Sequence, residues 1–310
     1  MNVKRLATLV FLGVTFDAGC RSDEAQAPPS SDIEAGAQSY QKTCALCHGS
    51  NGEGYAADNA TALRSPTFLA TASDDYLARS IARGRPGTTM SAWGRARGGP
   101  YDDLAIARII TFMRTWQTSP NVTAPAGALG DASRGAAKYA ASCAACHGAT
   151  GLEGPNVRLA NAELLNVASD DFLRYAIVNG RPGTTMRAWS ELTPGDVSDL
   201  VALLRSWAKP VPPGDVPIPG TLGPIVQNPE GPEPAFALGQ RFTPADTIHA
   251  ELARGAAMGF LDARAPSDYV AAHIAGAADV PFYEASDYLF ALPKDKWLVC
   301  YCACPHAESG

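Results

Sequence analysis

Cys44-Ala45-Leu46-Cys47-His48 and Cys143-Ala144-Ala145-Cys146-His147 are two copies of one pattern, C-x-x-C-H. The spacing has a physical reason. On a helix, residues i and i+3 share a face, so two such thiols can reach the two vinyl groups of one porphyrin. The His directly behind the second Cys is placed to turn its imidazole toward the iron. C-x-x-C alone also serves zinc sites and redox dithiols, but the immediate His, twice in one chain, selects c-type haem attachment. Gly49 and Gly148 follow the two runs.

The repeat extends well beyond the motifs. Residues 72–93 match 168–189 at an offset of 96, with 15 of 22 positions identical. The longest identical run is Gly84-Arg85-Pro86-Gly87-Thr88-Thr89-Met90, repeated as Gly180 to Met186. Two glycines and a proline forbid a helix there, so the run is a shaped loop that ends in Met. Ahead of each motif, Ile33, Gly36, Tyr40 and Cys44, and Gly135, Tyr139 and Cys143, space like one helix face. After each Met loop comes an apolar helix, Leu104–Trp116 with Leu104, Ala107, Ile110 and Met113 inward, and Val197–Trp207 with Val197, Leu200, Leu204 and Trp207 inward.

These motifs resemble class I cytochromes c in tandem, over about residues 33–208. The resemblance implies a mainly α fold with two cytochrome c-type haem domains, 33–120 and 130–208, and two covalently attached haem c groups. The cofactor-binding residues are Cys44, Cys47, His48 and Met90 in the first domain and Cys143, Cys146, His147 and Met186 in the second. Met90 and Met186 stand where the distal ligand of a cytochrome c lies. A thioether favours ferrous iron and fills the last coordination position, which suits electron transfer. Core filling is the bland alternative for both Met residues, and Met113 is a rival that belongs to the apolar helix stripe. Arg85 and Arg181 have two readings, propionate partners or solvated loop residues. Trp93 and Trp189 read as core packing. Pro155 stands near the carbonyl that orients the ligand His; the first copy has Gly54-Tyr55 instead.

The chain ends differ. Lys4 and Arg5 precede a short apolar run, Leu6 to Phe16, too short to span a bilayer. Ala18-Gly19-Cys20 looks like a lipoprotein processing site. Residues 1–20 thus read as an export signal, with either a lipid on Cys20 or an incidental Cys, and 21–32 as a tether. Lys209 to Pro234 holds nine prolines in 26 residues, and 209–241 reads as an extended linker without packed elements.

From 242 the pattern turns to α/β. A helix over Thr243–Arg254 leads to a strand Gly259–Asp262, then Asp262-Ala-Arg264 and Ala272-His273-Ile274-Ala-Gly276-Ala277. This resembles a rhodanese domain, with Val280-Pro281 as the next strand and Trp297–Cys302 as a buried strand. The resemblance places the sulfur-carrying nucleophile at Cys302. Ala272 replaces the usual Gly, and the loop through Cys304, His306 and Glu308 lacks the Arg common in active rhodaneses. A metal trio of Cys302, Cys304 and His306 and a Cys302–Cys304 redox pair are the alternatives, and Cys300 reads as core. The chain stops at Gly310 where a helix and strands should follow, so the resemblance implies a partial domain.

A net charge of −6 and a pI near 5.4 argue against a nucleic-acid partner. The expected function is single-electron transfer between redox proteins of the cell envelope, by an exported periplasmic protein with no transmembrane helix once mature. The alternative is a sulfur-compound oxidoreductase or sulfurtransferase in which Cys302 handles sulfur and the haems accept electrons.

Overall fold

The computed structural model describes residues 30–54, 60–122, 129–210, 225–237 and 242–302. The expectations on Cys20, Cys304, His306 and Glu308 lie outside the described residues. The first repeat runs through α1 (Ser30–Ser39), a π-helical turn (Tyr40–Cys44), α2 (Ala45–His48), α3 (Pro66–Leu69), α4 (Asp74–Arg83) and α5 (Asp103–Arg114). The second runs through α6 (Ala132–Ser142), α7 (Ala144–His147), α8 (Ala162–Val167), α9 (Asp170–Asn179) and α10 (Pro194–Ser206). A small sheet follows, with β1 (Val226–Gln227), α11 (Ala245–Ala253), β2 (Met258–Asp262), α12 (Pro266–Ala271), β3 (Ala278–Asp279), α13 (Ala285–Tyr288) and β4 (Trp297–Tyr301).

Helix starts are written in the sequence. Ser73 and Ser169, at matching places in the repeat, cap α4 and α9 by accepting from the amides of Tyr76 at 3.0 Å and Phe172 at 3.1 Å. Asp74–Asp75 and Asp170–Asp171 put negative charge on those N-termini. Thr193 and Asp196 form a reciprocal capping box on α10.

The first and last helices of each repeat touch through a glycine. A Cβ on Gly36 would lie 2.0 Å from the Arg108 carbonyl oxygen, and one on Gly135 would lie 2.1 Å from that of Asp199. The backbones therefore meet without side chains between them. Beside this crossing, Tyr40 meets Trp116 edge-on at 5.1 Å and Tyr139 meets Trp207 at 5.0 Å between ring centres.

The apolar stripe of α5 is rotated from its expected position. Ile106, Ile109, Ile110 and Met113 are buried, whereas Leu104 is 58% exposed and Ala107 is exposed. Leu104 sits in the first turn, where Asp102 caps the helix and turns it toward solvent. In α10 the expected Val197, Leu200 and Leu204 are buried and Trp207 is half-buried.

The two repeats face each other about a pseudo-twofold axis. Tyr76 stacks on its own counterpart Phe172 at 4.7 Å. α3 packs on α9 just as α8 packs on α4. One apolar core runs through both repeats, from Tyr40, Leu69 and Ile109 to Leu165, Phe172 and Leu204. The seam is not symmetric in detail. Thr67 donates to the Gly180 carbonyl at 2.9 Å, while its counterpart Glu163, 1% exposed, sits 3.7 Å from the Arg83 guanidinium.

In the α/β unit β2 is central. It pairs in parallel with β4 on one side, and with β3 (parallel) and β1 (antiparallel) on the other. The expectation of a linker with no packed element is corrected at Val226–Gln227. Four residues free of proline separate Pro224 from Pro229, enough for a short edge strand, and Ile225 is buried beside it. The third strand falls at Ala278–Asp279, two residues before the expected Val280-Pro281, because Pro281 has no N–H for a ladder. β4 is only half-buried, and Cys300 is exposed rather than core. Its outer edge has no strand partner among the described residues.

Replacing Gly36 or Gly135 by Ala is expected to destabilise the fold by about 1–3 kcal/mol, because backbone rather than a side chain must yield. Thermal unfolding of each variant against wild type checks this; an unchanged transition would contradict the helix contact.

Candidate functional site

Each C-x-x-C-H run lies at the end of the first helix of its repeat, under the glycine crossing. The turn before Cys44 is wound as a π-helix. There the Ser39 carbonyl accepts from the hydroxyls of Thr43 at 3.0 Å and Tyr101 at 3.1 Å, which compete with the ordinary helical amide. After each motif a tyrosine hydroxyl fixes the chain. Tyr40 donates to the Gly49 carbonyl at 2.7 Å, and Tyr139 to that of Gly148 at 2.8 Å. Both tyrosines are core residues with a second task that spacing alone did not reveal.

The histidines are held from behind. His48 Nδ1 lies 2.8 Å from the Thr61 carbonyl, and His147 Nδ1 lies 2.9 Å from that of Val157. A proton on Nδ1 leaves Nε2 as the free lone pair. Burial pushes both imidazole pKa values below the usual range, which keeps them neutral. The carbonyl at the His147 ring is thus Val157's, two residues beyond the expected Pro155. Thr61 and Val157 are 96 apart, the repeat offset, so the two carbonyls occupy equivalent places in the two repeats.

The methionine loops close in the same way. Gly84 and Gly180 adopt φ of 63° and 62°, a region that side chains avoid. The Arg85 amide donates to the Met90 carbonyl at 2.7 Å, and the Arg181 amide to that of Met186 at 2.8 Å. Thr88 and Thr184 hydroxyls accept from the Met90 and Met186 amides, each at 3.1 Å.

In the second repeat these parts meet around one cavity of about 290 Å³, lined by Cys143, Cys146, His147 and Met186 with Phe172, Leu173 and Leu204 among the apolar walls. In the first repeat Cys44 and Met90 pack against one apolar core, and Met113, buried mid-helix in α5, is a member of that core. The cavity of the second repeat reaches Thr61 and Ala62 of the first. Arg181 is no solvated loop residue. It lies over the rings of Phe172 at 5.0 Å and Phe68 at 5.7 Å, and burial pushes its pKa down to about 10, so it remains charged at the cavity wall. Arg85 binds Ser80 Oγ at 2.7 Å and the Gly84 carbonyl at 2.9 Å.

The chemistry of the donors fits haem c. Burial pushes the Cys44 and Cys143 thiols up to about 11, opposite to the low pKa of a redox dithiol. Among the described residues no three His, Cys, Asp or Glu side chains converge as a metal ion would need. An apolar cavity with paired thiols and His on one wall and a thioether in its lining suits a large flat ring with iron at its centre.

Residues 31–113 and 130–204 match the family described as cytochrome c oxidase, cbb3-type, subunit III, and together they make up half of the sequence. The chain belongs to this family. It is a tandem c-type cytochrome, and residues 244–309 match the rhodanese-like domain. The cbb3-type cytochrome c oxidase subunit CcoP of Azospirillum sp. (strain B510) is 31% identical over 176 residues, which cover 51% of this chain and 56% of that protein. The chain thus spans about half the length of this curated relative. Among solved structures, the reducing HAO-like protein complex Kustc0457/Kustc0458 of Kuenenia stuttgartiensis aligns at 19% identity with a TM-score of 0.37, over 57% of this chain and 96% of that one. Membership of the cytochrome family implies covalent haem c and electron carriage.

In the rhodanese-like domain, Asp262 is fully buried and tied to Arg264 by contacts of 2.9 and 2.6 Å and to the Tyr301 hydroxyl at 2.8 Å. The D-x-R motif therefore fastens β2 to β4. Cys302, the last residue described, is disulfide-bonded and lies on β4's end, away from the lining of the cytochrome cavity. His273 stacks on Tyr269 at 3.9 Å.

Asp279 is half-buried, and burial, followed by the charges of Asp262 and Glu284, pushes its pKa from 3.8 up to about 7. The folded state therefore prefers the protonated acid. That stability is complete below pH 3.8 and is lost as pH rises through about 7. Asp279→Asn is expected to flatten the pH dependence of chemical unfolding and to gain about 1–2 kcal/mol at about pH 8, where solvent screens part of the repulsion. Parallel wild-type and variant unfolding curves at every pH would refute it.

Proposed function

We propose that the chain is a dihaem electron carrier of the cell envelope, in which His48 and Met90 would hold the iron of one haem and His147 and Met186 that of the other. The observation that carries this reading is the cavity lined at once by Cys143, Cys146, His147 and Met186, with the same loop and the same His anchor repeated around Met90. Haem c, when bound, supplies reversible one-electron chemistry at iron. The chain's own residues do the rest. Thr61 and Val157 fix the imidazole tautomers through their carbonyls. The Arg85–Met90 and Arg181–Met186 closures hold each thioether in place, and the aromatic seam excludes water between the repeats.

The Azospirillum relative is by name a subunit of a cbb3-type cytochrome c oxidase, and by that likeness this carrier exchanges electrons with a redox complex. Among the described residues no helix is long and apolar enough to cross a membrane. The export segment and a lipid on Cys20 would then hold the protein at the periplasmic face.

The alkaline pyridine haemochrome assay on protein matured in a periplasm is expected to count two haems per chain. Replacing Cys44 and Cys47 by Ser, or Cys143 and Cys146 by Ser, should each leave one. Met90→Ala and Met186→Ala should each lower the midpoint of one redox step and leave the other in place. A single haem in wild type, or potentials indifferent to both Met variants, would overturn the reading.

A further inference from the structure

The two methionine loops are alike in sequence and hydrogen bonding, but the residues after them are covered differently. After Met186 come Arg187, Ala188 and Trp189. Trp189 is roofed by the Arg187 guanidinium, 3.5 Å from the ring centre, and the Arg187 side chain is itself 55% exposed. After Met90 come Ser91, Ala92 and Trp93, all buried.

The cover on the first loop is the rhodanese-like domain. Ser91 donates its hydroxyl to Asp268 Oδ2 at 2.5 Å. Trp93 meets Phe282 at 6.3 Å and Tyr283 at 5.7 Å between ring centres. Tyr283 is 8% exposed and belongs to the same apolar core as Trp93 and Tyr101. Pro266 approaches Gly98 so closely that a Cβ there would lie 2.8 Å from it. Two segments of the domain, the α12 helix and the turn after β3, thus grip the stretch that leaves Met90.

We propose that the rhodanese-like domain is a clamp on the first haem site: through Asp268, Phe282 and Tyr283 it pins Ser91–Trp93 and so keeps Met90 in place. The inference rests on the reading of Met90 as an iron ligand. Its mechanism is mechanical. Ser91 is bonded to Met90, and the Met90 carbonyl closes the loop on Arg85, so a lift of Ser91–Trp93 pulls directly on that closure. A segment with few buried contacts opens locally at low cost, and the clamp raises that cost at Met90 but not at Met186. The domain's effect on the haems is then positional, and ligand exchange divides the two sites into one closed and one open.

The test uses the full, haem-loaded chain. Asp268→Ala combined with Phe282→Ala removes the grip, and Phe282→Asp sets a carboxylate against Trp93. Small-angle scattering reports whether the domain leaves. The far-red methionine–iron absorption of the oxidised protein and carbon monoxide binding to the reduced protein report the ligand. The expected result is a released domain, loss of the part of the absorption that Met90→Ala also removes, and carbon monoxide binding at that site faster by about tenfold, the scale on which a lost hydrogen bond and a lost ring pair act. The Met186-dependent part should not change. A released domain with both parts intact overturns the clamp, and so does a domain that stays docked in both variants. If Met90→Ala itself leaves the absorption unchanged, the ligand reading fails and the clamp falls with it.

Discussion

In each cytochrome domain a glycine Cα rests against a carbonyl of the last helix, at Gly36 on Arg108 and at Gly135 on Asp199. Everything near the haem motif is levelled from that contact. With the backbones this close, Tyr40 and Tyr139 reach past the crossing to hold Gly49 and Gly148, directly behind the ligand histidines. The rings of Trp116 and Trp207 close the same joint edge-on. A buried aromatic side chain and an edge-to-face pair are together worth several kcal/mol, on the order of 2–4. The crossing thus converts helix packing into the position of two thiols and one imidazole.

Duplication followed by divergence is visible at the contacts rather than in the loops. Gly84–Met90 and Gly180–Met186 are identical and close with the same hydrogen bonds. Their neighbours are not. Thr67 binds the backbone of the second loop, whereas Glu163 brings a buried carboxylate toward Arg83, next to the first. Ser91 is covered by another domain, while Arg187 is open to water. A pseudo-twofold pair with the same ligands therefore has two different environments, and environment sets a haem's potential as much as ligand identity does.

The haem motifs, the Met loops and the first and last helices were legible in the sequence because each depends on residues close together in the chain. A thioether pair needs C-x-x-C, and a left-handed turn needs Gly. The register of α5 is not legible at Leu104, since apolar spacing does not tell which turn of a helix lies beyond the core. The carbonyls of Thr61 and Val157 were missed because backbone acceptors have no residue signature. Val226–Gln227 was hidden by the prolines on either side. The packing of Trp93 on Phe282 and Tyr283 joins positions almost two hundred apart, and no local pattern announces such a contact.

The polar groups of the rhodanese-like domain bear on what it contributes. Asp262 is committed to Arg264 and Tyr301, which lock the sheet. Asp268 is committed to Ser91 of the other domain. Asp279 is pressed among acids and leans toward its neutral form. Cys302 is in a disulfide, and Cys300 is a free thiol on a half-open strand. A sulfur-transfer site needs a thiolate stabilised by positive charge or backbone donors, whereas burial and then the Asp262 charge push the Cys300 thiol up. The described surface of the domain offers two aromatic rings and a carboxylate fitted to the stretch behind Met90. In this arrangement its fold serves the haem domain by packing, whatever chemistry the Cys302 loop adds.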